Sequence, residues 1–164
     1  MRRPLVEKIW ESDMGMYMHG STFGGHPVAT AVAVANMRAM RDENIFAHVL
    51  AHEDYFAAEL ESLKDTHACV METRGTGYFF AVELMADRAS GRTLSESQTK
   101  QLQGGVFGGF VRDAEIMIRP DGRGATMLTI SPPLIADHAV IDDLVQRVDQ
   151  ILENTDVWLA QNDG

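Results

Sequence analysis

The sequence predicts an α+β fold over roughly residues 65–155, in which helices cover one face of a small sheet. Strand-like segments occur in two pairs, "ACVMETRGTGYFFAVELM" (68–85) and "EIMIRPDGRGATMLTISPP" (115–133), each divided by a glycine-containing turn. Helical segments lie before, between and after these pairs. This order predicts a small, mostly antiparallel sheet with helices on one face, preceded by a helical connector.

Helices are predicted on both sides of the glycine-rich loop near the start of the chain. The segment "PLVEKIWES" (4–12) has the character of a short helix. Val28–Met40 follows Pro27, a residue tolerated in the first turn of a helix, and is apolar almost all round. Because such a helix is normally buried on every side, we expect it to pack against another domain or subunit.

Three further helices are predicted along the rest of the chain. In Ile45–Leu63, apolar residues recur at spacings of three, four or seven, which is a helical period. Leu94–Arg112 has helical character although it contains adjacent glycines. Asp137 is positioned to cap a long amphipathic helix, whose acidic end, 154–164, is expected to fray.

The composition narrows the classes of function. A chain of 164 residues with a formal net charge of -10 is not expected to bind nucleic acid or a membrane surface. No apolar run is long enough to span a bilayer, and the start "MRRPLVEKIW" lacks the apolar centre of a signal peptide. The single cysteine, Cys69, excludes an internal disulfide and favours the cytoplasm; its strand-like surroundings indicate a buried, inert thiol.

The segment "MHGSTFGGHPVATAVAVANM" (18–37) joins a small polar loop directly to the apolar helix. Ser21 and Thr22 offer hydroxyl donors, and the glycines at 24 and 25 let backbone N–H groups approach an anion closely. The helix start adds a partial positive charge, so the loop has the chemistry of a phosphate site without a lysine. A capping loop with no ligand explains the same residues equally well.

Two histidines flank this loop and raise the question of a metal. His19 and His26 have no Cys, Asp or Glu at ligand spacing around them. We therefore interpret them as hydrogen-bonded structural residues and predict no metal site.

Three motifs occur in a fixed order along the chain. The first is "HGSTFGGHP" (19–27), followed by the helix of small residues; the second is "RGTGYFFAVEL" (74–84); the third is "IMIRPDGRGATMLTISPPLI" (116–135), followed by the last helix. Together they resemble the class III, or ω-amino acid, aminotransferases, which are pyridoxal-phosphate enzymes of fold type I. The resemblance implies that the predicted sheet is the small C-terminal domain of that fold.

The resemblance also implies a role for the loop. In that family the threonine at the position of Thr22, with the residue before it, here Ser21, binds the phosphate of pyridoxal 5'-phosphate held by the neighbouring subunit. The active site is then built across an interface between subunits, and the apolar helix lies in the shared interior. We therefore expect the chain to work as a homo-oligomer or beside an N-terminal domain.

A division into domains follows from the same resemblance. Residues 1–26 are expected to be the end of the large cofactor-binding domain, including the phosphate loop. Residues 27–64 are expected to form connecting helices, and residues 65–164 the small C-terminal domain.

Arg119 is the candidate substrate-binding residue. A guanidinium matches a carboxylate with two parallel hydrogen bonds, which suits an amino acid or keto acid substrate. In the family, an arginine just before the Ser-Pro-Pro-Leu strand binds the substrate carboxylate, and Arg119 fits by its place after "EIMI". Extra residues in "DGRGATM" leave Arg123 as the alternative, and a surface arginine in a charged turn is the other interpretation. Arg74 is interpreted as structural.

The family's Schiff-base lysine lies further upstream than the 21 residues preceding Thr22 allow. Lys8, Lys64 and Lys100 do not match its position. The chain therefore resembles the C-terminal segment of an aminotransferase. Such an enzyme moves an amino group between an amino acid or ω-amine and a keto acid such as pyruvate. We expect this chain to be inactive alone, with no catalytic residue of its own. The alternative is a catalytically silent α+β module for assembly or binding.

Overall fold

The computed structural model of the chain describes residues 3–13, 20–121 and 125–162. The chain divides into two compact units, Met1–Glu43 and Asn44–Gly164. This division groups residues by compactness alone, so the domain boundaries expected from the family resemblance stay a prediction.

The described residues of the first unit form the helices α1 (Arg3–Trp10) and α2 (Pro27–Asp42), and both were predicted. Pro27 is the first residue of α2, where its missing N–H costs no helical hydrogen bond. The described residues of this unit include none that is fully buried, although α2 is rich in valine and alanine.

The second unit holds the sheet. Its elements in chain order are α3 (Ile45–Thr66), β1 (Val70–Thr76), β2 (Phe79–Leu84), α4 (Glu96–Gln101), α5 (Phe107–Asp113), β3 (Arg119–Asp121), β4 (Met127–Ile130) and α6 (His138–Gln161). The strands form a sheet in the order β1-β2-β4-β3, and every neighbouring pair is antiparallel. The prediction of a small antiparallel sheet accompanied by helices is confirmed.

The core lies between one face of this sheet and the helices. Alternate residues of β2 and β4 are buried, as expected for strands with one covered face. On the helical side, α3 and α6 supply the largest share of the buried side chains. The fully buried bulky residues are Phe56, Leu60, Val70, Val82, Leu102, Phe107, Leu128, Ile130, Ile141, Val148, Ile151 and Leu152.

The turn between β1 and β2 lies later than predicted. We expected it at Arg74–Gly77, but β1 continues to Thr76 and the turn comprises Gly77 and Tyr78. Gly77 has a φ of 57°, the left-handed conformation that glycine adopts without steric cost. Gly75 serves another purpose: it pairs with Phe80 across the ladder, and a Cβ there would lie 2.6 Å from that aromatic ring.

Two other elements are shorter than predicted. The strand expected from "EIMIRP" is reduced to β3, because the N–H of Ile116 bonds back to the carbonyl of Val111 at the end of α5. The helix expected over Leu94–Arg112 begins only at Glu96 and is kinked within Leu102–Val106, where Gly105 has a non-helical φ of 147°. Adjacent glycines allow this break, since only glycine reaches that conformation easily.

The last helix is correctly predicted at its start and wrongly at its end. The carboxylate of Asp137 accepts a hydrogen bond from the N–H of Val140, which is the predicted N-cap. The end does not fray at residue 154: α6 continues to Gln161, and Thr155 and Leu159 are buried. The acidic composition concealed this buried side, which continues the stripe of Val148, Ile151 and Leu152.

Candidate functional site

The candidate phosphate loop folds as two successive turns. The N–H of Gly24 donates to the carbonyl of Ser21 at 2.9 Å, and the N–H of His26 donates to the carbonyl of Phe23 at 3.1 Å. Gly25 has a φ of 78°, which lets the chain reverse just before α2. These turns place the two adjacent hydroxyl residues, Ser21 and Thr22, shortly before the helix start.

Ser21 and Thr22 are both exposed. Among the described residues, no hydrogen bond uses either hydroxyl. The side chain of the N-cap residue, His26, does not cap the helix. The first hydrogen bond of the helix is donated by the N–H of Thr30 to the carbonyl of His26 at 3.0 Å. Among the residues that the structure describes, no side chain caps the positive end of α2 and its first N–H groups.

This donor set fits a phosphate. A phosphate dianion needs hydrogen-bond donors and a positive electrostatic potential, and it repels carboxylates. The loop residues Gly20–His26 offer hydroxyls and main-chain N–H groups, and they contain no acidic side chain. Ser21 and Thr22 are the residues that could hold the phosphate of pyridoxal phosphate.

Arg119 is the first residue of β3, in the second compact unit. The register pairs it with Thr129 of β4, which is paired in turn with Ala81 of β2 and, through Ala81, with Arg74 of β1. The side chain of Arg119 and the whole of Arg123 lie outside the described part of the structure. The choice between these two arginines therefore stays a prediction.

Arg74 has the structural role that was expected. Its guanidinium donates to Glu72 on the same strand and to Glu83 on β2. The hydrogen bonds to Glu83 and Glu72 raise the pKa of Arg74, so it stays charged. An arginine held by two carboxylates is not free to bind a substrate carboxylate.

The three lysines of the chain all lie on helices. Lys8 is on α1, Lys64 on α3 pairs with Glu61 at 2.5 Å, and Lys100 on α4 pairs with Glu96 at 2.6 Å. The i,i+3 and i,i+4 spacings of these pairs are ordinary surface arrangements. Lys64 and Lys100 therefore have the setting of surface residues.

A row of aromatic rings in contact on α3 and α6 was not predicted. The His48 and His52 rings lie 4.2 Å apart, and His138 lies 4.8 Å from His52 and 4.1 Å from Tyr55, centroid to centroid. The i,i+4 spacing of the first two histidines was the available signal. The main-chain carbonyl of Ala136 lies 2.7 Å from Nε2 of His48.

Tyr55 also donates from its hydroxyl to Asp142 at 2.5 Å, and this hydrogen bond raises the pKa of the phenol to about 12.

Over the described ranges, no group of three or more His, Cys, Asp or Glu side chains could hold a metal ion. Cys69 is fully buried, and burial, followed by the charge of Asp156, raises the pKa of its thiol. A thiol of this kind is a poor nucleophile.

Within the part of the chain that the structure describes, no helix is both long and apolar enough to cross a membrane.

Comparisons with known proteins point to one family. A family model described as aminotransferase class-III matches residues 3–152. A Mycobacterium tuberculosis protein named a probable aminotransferase is 35% identical over 140 residues, which are 85% of this chain and 30% of that protein. The putrescine–pyruvate aminotransferase of Pseudomonas aeruginosa is 34% identical over 157 residues, covering 94% of this chain and 32% of that enzyme.

Solved structures point the same way. The ω-transaminase of Pseudomonas jessenii in complex with PMP has a TM-score of 0.71 and 30% identity, over 90% of this chain and 31% of that chain. This chain thus spans about a third of the length of the relatives it matches.

Proposed function

Because this chain belongs to the class-III aminotransferase family, as its three motifs indicated, we propose that it forms part of a pyridoxal-phosphate-dependent aminotransferase. The fold is that of the small domain of fold type I transaminases. The observation that carries the proposal is the family match over residues 3–152, which includes the phosphate loop, β2 and the strand pair that contains Arg119.

In this proposal, Ser21 and Thr22 bind the cofactor phosphate. Their hydroxyls and the first N–H groups of α2 donate to phosphate oxygens, and the positive end of the helix favours the anion. When bound, pyridoxal phosphate supplies the electron sink that amino-group transfer requires. The residues of this chain hold the cofactor in place at its phosphate.

Arg119 binds the carboxylate of the amino acid or keto acid through two parallel, charge-assisted hydrogen bonds. The relative from Pseudomonas aeruginosa is a putrescine–pyruvate aminotransferase, and one from Paracoccus denitrificans is a hypotaurine/taurine–pyruvate aminotransferase. Pyruvate, a small keto acid, is therefore the acceptor that we propose. The amino donor is an amino acid or an ω-amine.

The same proposal includes assembly. Val28 and Val32 are 65% and 62% exposed on α2, more than an apolar helix tolerates in water. We propose that α2 is covered by a second copy of the protein or by a large N-terminal domain, with residues 1–26, 27–64 and 65–164 divided as the family resemblance implies. The enzyme is proposed to work in the cytoplasm.

The 164-residue chain alone is proposed to have no transaminase activity. Lys8, Lys64 and Lys100 are its only lysines, and none matches the family position that binds the cofactor covalently. After addition of pyridoxal phosphate and borohydride, mass spectrometry should therefore show no selective, stoichiometric pyridoxyl label on any of these lysines. Turnover together with stoichiometric labelling of one of these lysines would contradict the proposal.

The phosphate site is tested with pyridoxal phosphate and the purified chain. We expect weak binding, which the double variant Ser21→Ala, Thr22→Ala abolishes, since each lost hydrogen bond contributes on the order of 1 kcal/mol. Thr30→Ala is the matched control, because the Thr30 hydroxyl already donates to the carbonyl of Pro27 at 2.9 Å. Equal binding by all three proteins would indicate the alternative, a module without cofactor chemistry.

Substrate binding is tested after the chain is joined to the large domain of a class-III aminotransferase. Arg119→Ala should raise the KM for pyruvate about ten- to a hundredfold, because a charge-assisted pair contributes roughly 1.5–3 kcal/mol. Arg123→Ala is the comparison variant. If Arg123→Ala has the larger effect, the carboxylate role belongs to that residue.

A further inference from the structure

His67 occupies an unusual position at the end of α3. It is 6% exposed and lies between two carboxylates of α6: its Nδ1 is 3.0 Å from Asp156 Oδ2 and its Nε2 is 2.8 Å from Asp149 Oδ1. Asp149 and Asp156 are seven residues apart, about two helical turns, so they project from the same side of α6. All three residues belong to the second compact unit.

The hydrogen bonds can be counted. An ionised carboxylate only accepts, and a neutral imidazole has one N–H, so two ring-to-carboxylate hydrogen bonds require a doubly protonated ring. The other oxygen of Asp156 accepts the main-chain N–H of Cys69 at 2.9 Å, which uses it as an acceptor as well. With both aspartates ionised, the arrangement is complete only when His67 is an imidazolium.

The local backbone favours the same charge. His67 is the C-cap of α3, and its N–H bonds to the carbonyl of Leu63 at 3.0 Å. The partial negative charge at a helix C-terminus attracts a cation. His67 therefore lies at the negative end of a helix, and its ring contacts two carboxylates.

The other charged groups on the segments around the ring leave the surroundings of His67 negative. Lys64 pairs with Glu61, and Arg88 donates to the main-chain carbonyls of Lys64 and Val70. The titratable and charged groups on these segments are Lys64 and Asp65 on α3, Asp149, Glu153 and Asp156 on α6, Cys69 before β1, and Arg88 after β2. Carboxylates outnumber cations, and both cations have other partners.

We propose that His67, Asp149 and Asp156 form a protonated clamp that joins the end of α3 to α6 and loosens when the ring loses its proton. The clamp stabilises the fold while His67 is charged, and this stabilisation is lost as the pH rises. An unfolded histidine has a pKa of about 6.5, so at higher pH unfolding would release the clamp's proton. The unfolding equilibrium constant would then rise with pH, by at most about tenfold per pH unit for one proton.

The charge of the ring is tested directly by NMR on the 164-residue chain with ¹⁵N-labelled histidines. The signals of His67 are identified by their loss in His67→Gln. At about pH 7.5, where an ordinary histidine is neutral, both ring nitrogens of His67 should have the chemical shifts of protonated nitrogens. A bare ring nitrogen at that pH would overturn the proposal.

The link to stability is tested by denaturant unfolding between about pH 6 and pH 8.5, the range above an ordinary histidine pKa. In Asp149→Asn the amide can donate to a neutral ring, so the variant should lose the extra rise of the unfolding constant with pH. Asp142→Asn is the matched control, because it removes the same charge from α6 at a carboxylate that accepts from Tyr55. Equal pH dependence in Asp149→Asn and Asp142→Asn would overturn the clamp.

Discussion

Two successive helices, α2 and α3, have very different surroundings. The described residues of α2 include none that is buried, whereas α3 buries Ile45, Phe56, Leu60 and Leu63. In α3 the buried apolar residues lie on one side of the helix, which packs against the sheet, and others such as Leu50 stay exposed. In α2 the apolar residues extend around the helix. A stripe can be satisfied within one small unit, whereas an all-round apolar helix needs neighbours on several sides. The contrast separates residues that hold the fold together from residues that we propose to serve assembly.

Removal of a core ring from α3 should have the largest effect on stability. Phe56 is fully buried, with its ring centroid 5.0 Å from that of Phe80 and 5.9 Å from that of Tyr78. Phe56→Ala should lower the free energy of unfolding by about 3–5 kcal/mol, through lost burial and the resulting cavity. Denaturant unfolding measures this. Leu50→Ala, on the exposed side of the same helix at 66% exposure, is the control and should change little.

The next largest effect is expected at Gly75 of β1. A methyl group there would lie 2.6 Å from the Phe80 ring and still closer to the carbonyl of Phe79, so a strand must shift. Gly75→Ala should cost about 1–3 kcal/mol, the range for an overpacked site. Gly108→Ala on α5 meets no atom within 4 Å and should be neutral or stabilising. Equal effects of the two substitutions on the unfolding midpoint would contradict the steric argument.

Local patterns predicted the helices well and the contacts between elements poorly. The N-cap at Asp137 and the helical period of α3 depend on residues close together in the chain, so the sequence revealed both. The role of Gly75 depends on Phe80 of the next strand, and the buried end of α6 depends on elements far away in the chain. The clamp at His67 joins residues more than 80 positions apart, and no local pattern indicates it.

The residues of the candidate site also differ in whether local sequence patterns could identify them. The loop with Ser21 and Thr22 was found because its hydroxyls, glycines and helix start are adjacent in the sequence. Arg119 was selected by resemblance, because a short strand and a glycine-containing turn give no independent signal for a carboxylate site. The roles of all three residues stay predictions until the binding experiments are done.

Loss of the cap of α6 is expected to have a moderate effect on stability. The helix α6 packs against α3 in the second unit. Asp137→Ala removes the acceptor for the N–H of Val140, at 3.1 Å, and should lower the free energy of unfolding by about 0.5–2 kcal/mol. Asp137→Asn retains a good capping side chain and should be close to the parent protein. If both variants lose the same stability, the charge of Asp137 matters rather than its cap.

The smallest effect on unfolding is expected at Val32. This substitution is also the most informative about the contrast between α2 and α3. Val32 is 62% exposed, so Val32→Ser should change the free energy of unfolding of the isolated monomer by less than about 0.5 kcal/mol. The same substitution should weaken self-association, measured by sedimentation or light scattering over a range of concentrations, because it places a hydroxyl in the apolar surface that we propose to be covered. Arg41→Gln, at an exposed polar position on the opposite side of α2 from Val32, is the control and should leave self-association unchanged. If Val32→Ser destabilised the monomer as strongly as a core substitution, α2 would be part of the chain's own core, and its exposed valines would need another explanation than a partner surface.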